Sequence, residues 1–298
     1  MRRFPATLVL LLTTSSLWAE PAPAWLLRLP ESTPTVFIAE TSVSAFHRFD
    51  RSGEGVKKTR QDYMSIGLAG VGKTRNGDQR TPLGIYFVTE QLDTERLHEK
   101  YGATAFSLDY PNAWDRRLGR TGDGIWVHGV DRRGGVRPPR DTDGCIALPN
   151  DRLLELEQAF APNVTPVLIG PEMAWADPEA IAHVRDALQN AVADWAISLE
   201  KGDMYAWQEL YDETFEHWGM NKAEWSAFSL ETVGQRVLSD VTVRDLLLLG
   251  DPSEDGLYLS RFRLDVTEGE APKVTSMRRM YWRRSESGAF RIVAEDSG

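Results

Sequence analysis

Ile125-Trp126-Val127-His128-Gly129 and Asp141-Thr142-Asp143-Gly144-Cys145-Ile146-Ala147-Leu148 decide how this chain is read. The first stretch is apolar up to its histidine, the pattern of a central strand buried on both faces. The second sets a cysteine behind a glycine, at the start of another apolar run. A loop rich in Arg, Gly and Pro separates them. Cys145 is the only cysteine in the chain, so it has no internal disulfide partner. Such a thiol is inert and buried, paired with another chain, or kept for chemistry. The thiolate is the nucleophile, and a free cysteine titrates near ~8.5, so it needs a base or a positive neighbour. An imidazole, titrating near ~6.5, takes and returns a proton at neutral pH. His128 and Cys145 are therefore the candidate catalytic pair, brought together by adjacent strands. The Gly129 carbonyl is placed to hold the imidazole. Gly144 lets the backbone approach a substrate carbonyl, and the amides around Gly144 and Cys145 are candidate oxyanion donors.

Outward from this pair, residues 34–170 read as short strands joined by glycine-containing loops. Strands are expected at Val36–Ala39, Ser44–Asp50, Tyr63–Leu68, Ile85–Val88, Ile125–His128 and Val164–Ile169. Two helices interrupt them, Thr94–Lys100 and Asn150–Phe160, the second capped by Asn150 or Asp151. Residues 171–177 read as a linker. Asp177 then caps a helix with Pro178 at its first position, where a missing N–H costs nothing. Ile181, Val184, Leu188, Ala191, Trp195 and Leu199 give that helix one apolar face. Two more helices are expected at Asp203–Phe215 and Asn221–Val237. The period then switches to two, giving strands at Val241–Leu249, Leu257–Thr267, Val274–Arg284 and Ala289–Glu295, with turn-rich connections. Helices followed by antiparallel strands imply an α+β domain over residues 178–298, with helices on one face of a curved sheet.

The start of the chain has the form of a signal peptide over residues 1–24. Arg2 and Arg3 precede an apolar run from Leu8, and small residues follow, with cleavage expected near 19–24. The mature chain is then expected in the periplasm, with no membrane span, since no later stretch approaches the ~20 apolar residues a membrane helix needs. The net charge of −10 argues against nucleic acid, whose phosphates need a basic field. No His-Glu-x-x-His pair and no Cys/His cluster is present, so no metal site and no cofactor is implied. His47 is expected to pack in a strand, and His98, His183 and His217 to sit among polar residues. Trp195, Trp207, Tyr211, Trp225, Phe228 and Trp282 read as core. Asp78 and Asp143 suit turn or loop capping.

Several separated segments together resemble the YkuD-type L,D-transpeptidase family, nearest its YafK/ErfK-like branch. They are His128-Gly129 followed by Thr142-Asp143-Gly144-Cys145-Ile146; Gly72-Lys73; Gly77-Asp78-Gln79-Arg80-Thr81-Pro82-Leu83-Gly84; Tyr110-Pro111-Asn112; and Arg120-Thr121-Gly122. The resemblance implies a β-rich, sandwich-like catalytic domain over 34–170 that acts on peptidoglycan stem peptides. It implies Cys145 as nucleophile, His128 as general acid/base, and Gly129, Thr142, Asp143 and Gly144 as supporting or oxyanion residues. Many members have His where this chain has Asp143, and Arg where it has Ala147. That arginine would suit a substrate carboxylate. Arg132, Arg133, Arg137 and Arg140 are possible replacements, or simply solvated loop charges; Tyr110, Arg137 and Arg140 are the candidate substrate contacts. Residues 178–298 resemble an NTF2-like domain, with a ligand or protein partner possible at its pocket. The pairing of the two is similar to cell-shape L,D-carboxypeptidases.

Three functions follow. An acyl-enzyme on Cys145 resolved by an amine is an L,D-transpeptidase, the first expectation. The same intermediate resolved by water is an L,D-carboxypeptidase or related hydrolase. A catalytically inactive wall-binding module is the third, and the intact His128–Cys145 pair speaks against it.

Overall fold

The computed structural model describes residues 21–53, 55–135 and 137–297. The expected leader lies outside these residues as far as Glu20. Thirteen strands build the two large sheets. They are β1 (Leu26–Arg28), β2 (Thr35–Glu40), β3 (Ala45–Ser52), β4 (Gly55–Tyr63), β5 (Gly84–Leu92), β6 (Ala105–Leu108), β7 (Trp126–His128), β8 (Ile146–Ala147), β9 (Pro166–Gly170), β10 (Leu238–Gly250), β11 (Leu257–Glu268), β12 (Val274–Arg284) and β13 (Phe290–Asp296). The α-helices are α1 (Ala113–Arg117), α2 (Asn150–Leu156), α3 (Pro178–Lys201), α4 (Met204–Glu209) and α5 (Lys222–Thr232).

The first sheet has eight strands in the order β8-β7-β6-β5-β9-β2-β3-β4. The β8–β7 and β9–β2 pairs are parallel and the rest antiparallel. The second has five antiparallel strands in the order β13-β12-β11-β10-β1. Register shifts at Arg244/Leu247 and Tyr281/Trp282 mark bulges, which bend and twist a sheet. With α3 packed on one face, this is the curved-sheet α+β arrangement expected of an NTF2-like domain.

The sheets lie against each other, and the strand period of two shows it. In β2, Val36 and Ile38 enter the core shared between the sheets, while Phe37 and Ala39 enter the core on the far side. In β10, Leu247 and Leu249 enter the shared core, while Leu246 and Leu248 face the helices. Two charged groups cross the same seam. Buried Arg279 of β12 clasps Asp296 through Nε and Nη2, both at 2.7 Å, and its Nη1 bonds Asp109 at the end of β6.

Several local expectations are corrected. The run Tyr63–Leu68 is not one strand: β4 ends at Tyr63, Ser65 bridges Ala147, and Ile66–Gly67 pairs in parallel with Arg140–Thr142. β7 starts at Trp126 and lies between β6 and β8, one place in from the sheet edge. Thr94–Lys100 forms two 3₁₀ turns, Thr94–Arg96 and Glu99–Tyr101. Helix α2 has Pro149 at its N-cap and no side-chain cap bond; Asn150 is used elsewhere. His217 is buried against the rings of Phe215, Trp218 and Trp225 rather than set among polar residues, with Nδ1 2.9 Å from the Glu295 carbonyl. Trp195, Trp207, Tyr211 and Trp282 are core, whereas Phe228 is 39% exposed. Trp195 donates to Tyr211 Oη and Trp282 to Ser260, so these buried N–H groups are satisfied where the polar ends of aromatics need it. Residues 175–176, read as linker, pair with Ala22–Pro23.

Candidate active site

The parallel pair β7–β8 sets the site. Ala147 is the register partner of His128, and Leu148 N donates to the His128 carbonyl at 2.9 Å. Side chains two apart share a strand face, so Cys145, two residues before Ala147, falls on the face of His128. Both open on one cleft of about 420 Å³, whose walls include Lys73, Lys100, Trp126 and Arg137.

His128 is nearly fully buried, and its Nδ1 lies 2.6 Å from the Gly129 carbonyl oxygen. That oxygen only accepts, so Nδ1 carries the proton and Nε2 keeps its lone pair. The edge of the ring packs against Tyr101, with centroids 5.1 Å apart. Burial, outweighing the bond to Gly129 and aided by the charges of Arg137 and Lys100, lowers its pKa to about 4. Burial likewise raises the Cys145 thiol to about 11, against the Trp126 backbone amide and the charges of Lys100 and Lys73; Asp143 adds to the rise. At rest the pair is thus a neutral thiol beside a neutral imidazole. The thiol donates to the Gly124 carbonyl at 3.4 Å.

A tight turn presents the sulfur. Thr142 Oγ1 donates to the Cys145 carbonyl at 2.7 Å and accepts from the Gly144 amide at 3.1 Å. That amide, one of the expected oxyanion donors, is therefore engaged. Gly144 has φ +128°, and a Cβ there would lie 2.8 Å from the Arg80 carbonyl oxygen, so no other residue fits without strain. Asp143 sits at the exposed rim, 3.3 Å from Lys100 Nζ.

Asn150 holds the other side. Its Oδ1 accepts from Ala103 N at 3.1 Å, and its Nδ2 donates to the Val130 carbonyl at 2.9 Å. A Cβ on Gly129 would lie 2.0 Å from that Oδ1, so the glycine admits the clamp as well as the imidazole contact.

The three candidate substrate contacts separate. Arg137 lines the cleft, donating to the Asp141 carbonyl at 3.0 Å. Tyr110 is buried, its hydroxyl donates to the Thr121 carbonyl at 3.1 Å, and it is not among the residues lining the cleft. Arg140 packs by Gly70 and is not itself among the residues lining the cleft, although its neighbour Asp141 is. Residue-type reasoning passed over Tyr101, Trp126, Lys100 and Asn150. For Trp126 a signal was present, since it lies two before His128 and so shares its face.

Residues 38–169 match the family model of the YkuD L,D-transpeptidase catalytic domain. This part of the chain is a YkuD-type catalytic domain. No curated protein matches the chain. Among solved structures, Bd1075 of Bdellovibrio bacteriovorus is similar over 93% of this chain and 98% of its own, at 24% identity and TM-score 0.77. The helical cell shape determining protein Pgp2 of Campylobacter jejuni is similar over 91% of this chain and 95% of its own, at 20% identity and TM-score 0.77. These likenesses show a shared fold that runs through both sheets. Among the described residues no helix is long and apolar enough to cross a membrane.

Proposed function

We propose that the protein is a periplasmic cysteine-dependent L,D-transpeptidase acting on peptidoglycan stem peptides. The observation that carries this is the His128 imidazole, fixed through Nδ1 on the Gly129 carbonyl, sharing one cleft with the sole thiol of a YkuD-type domain. His128 Nε2 takes the Cys145 proton as sulfur attacks the carbonyl carbon of the amide that joins an L-centre to a D-centre. The neutral resting pair requires proton loss and attack to be coupled. The tetrahedral oxyanion collapses, the C–N bond breaks, and His128 returns the proton to the departing amine. A thioester remains. An incoming amine, deprotonated by His128, attacks it, forms the new amide and restores the thiol.

Water in place of the amine makes the same cleft an L,D-carboxypeptidase. The observed pairing of the domain with a helix-covered curved sheet favours this second reading, because it resembles cell-shape L,D-carboxypeptidases. Likeness over both sheets to the cell shape determinant Pgp2 supports a role in cell-wall remodelling.

Purified protein incubated with disaccharide-tetrapeptide, with products resolved by mass, tests both readings. A crosslinked dimer identifies transfer and a tripeptide identifies hydrolysis. Cys145→Ala should abolish either product, by roughly 10³-fold or more, while leaving circular dichroism unchanged. Unchanged turnover in Cys145→Ala overturns the mechanism.

A further inference from the structure

Lys73 is a buried cation facing the cleft, and the mechanism above does not use it. Its side chain is 3% exposed, yet it forms part of the wall around Cys145 and His128. Burying an ammonium is costly unless it is paired, and here the pair is built with care. Nζ donates to Asp78 Oδ1 at 2.9 Å and to the Arg75 carbonyl at 3.1 Å. The Asp78 carboxylate also accepts from the amides of Thr74, Arg75 and Arg80, at 2.8, 3.1 and 3.2 Å. Burial opposes its charge, but the Thr74 amide, the Lys73 ammonium and the two other amides hold it well below the usual carboxylate range. Asp78 is thus ionised and saturated with donors.

Lys73 has three protons, and two are used. Among the described residues its remaining contact is the face of the Tyr110 ring, 5.9 Å to the centroid, which is not a hydrogen-bonded counter-ion. The backbone makes room for this stem: Gly122 has φ +103°, and a Cβ there would crowd Lys73 Cε at 3.3 Å. The other two cations of the cleft are engaged near its rim, Lys100 with Asp143 and Arg137 with Asp141. The charge of Lys73 reaches the reacting centre, since it is among those acting on the Cys145 thiol.

We infer that Lys73 is the counter-ion for a substrate carboxylate, the terminal α-carboxylate of the residue leaving from the scissile amide. This assignment rests on the proposed peptidase or transferase chemistry. The terminal carboxylate is favoured because it sits one residue from the scissile carbon, within the region where Lys73 already acts on the sulfur. It also supplies the cation that Ala147 lacks. The other carboxylate of the donor, on the diaminopimelate side chain, has the same chemistry and is separated by experiment.

The test compares three donors: the free-acid tetrapeptide, its C-terminal amide, and the tetrapeptide amidated on the diaminopimelate side chain. Wild type should favour the free acid over the C-terminal amide by about 10- to 100-fold in kcat/KM, the range for a hydrogen-bonded charge. Lys73→Met should lose that preference by falling on the free acid alone, and Lys73→Arg should keep most of it. Preference against the side-chain amide instead, or an equal fall on all donors, overturns the assignment. Binding of the free acid and the C-terminal amide to Cys145→Ala, with Lys73 intact, gives a measure independent of how Lys73→Met folds. Equal affinities overturn the assignment too. A protein that discriminates in binding but produces neither dimer nor tripeptide sinks the activity reading and leaves the carboxylate site standing. A protein that turns over all donors alike does the reverse.

Discussion

His128 Nδ1 lies 2.6 Å from the carbonyl oxygen of Gly129, the next residue in the chain. One contact therefore fixes the tautomer and points the basic nitrogen at the cleft, while burial, against that contact, keeps the imidazole neutral.

That neutrality has a pH signature. With His128 near 4 and Cys145 near 11, alkylation of Cys145 by iodoacetamide should stay slow and flat through neutral pH and climb toward pH 11. A free cysteine would climb from ~8.5. A fast plateau beginning below pH 7 would mean a resting thiolate–imidazolium pair and would sink this account. His128 also links to stability. Between its ordinary 6.5 and about 4, the unfolded chain binds a proton that the folded chain does not, so this site's contribution rises with pH across that window.

Glu295 gives the opposite slope. Burial, against the Arg278 charge and the Tyr211 hydroxyl, raises its pKa from 4.5 to about 7. The folded chain keeps a proton that the unfolded chain releases, so stability falls as pH rises through that window. Glu295→Gln keeps an acceptor for Tyr211 and should stabilise the protein at pH 8 by about 3 kcal/mol, with little effect at pH 4. Melting temperatures of both proteins at the two pH values check this.

Asn150→Ala should cost about 1–3 kcal/mol, because it strips partners from the Ala103 amide and the Val130 carbonyl. Turnover should fall further than stability alone explains, since the clamp abuts Gly129. Thermal denaturation together with steady-state rates separates the two effects. Wild-type turnover in Asn150→Ala at a temperature where it is fully folded would refute the positioning role.

Arg279→Ala should destabilise by about 3–5 kcal/mol, as removal of one member of a buried ionic group does. It leaves Asp109 and Asp296 facing each other across the seam. Arg279→Lys should rescue poorly, because an ammonium lacks the fork that meets two carboxylates. Urea unfolding midpoints measure both.

Much of this was legible from residues alone, and the failures share a cause. Strands that alternate between two apolar cores, such as β2 and β10, announce themselves by runs of consecutive apolar residues, Val36–Ala39 and Leu246–Leu249. Strand β4 (Gly-Val-Lys-Lys-Thr-Arg-Gln-Asp-Tyr) is a polar sheet edge, held by pairing to β3, and carries no such mark. Strand β7 reads as an interior strand because it is apolar, and it does pair on both sides, with β6 and β8. Cys145 and His128 stand out by chemistry and spacing. Lys73 and Asn150 do not, since a lysine in a loop and an asparagine at a helix start are ordinary in sequence. Only tertiary packing turns one into a buried cation and the other into a strap between loops. Tyr110 and Arg140 fall outside the cleft lining for the same reason, because a loop's residue types do not reveal which way it faces.

Strand β1 is three residues from the beginning of the described fold, yet it forms the outer edge of the sheet built from the last sixty. The second half of the molecule is consequently not a detachable accessory. Expressed from residue 178 onward, it would lack its selvedge strand and bare the leucines that β1 and the first sheet cover. A truncation made to study it alone would report on aggregation, and the two halves are better dissected by point substitution in the intact chain.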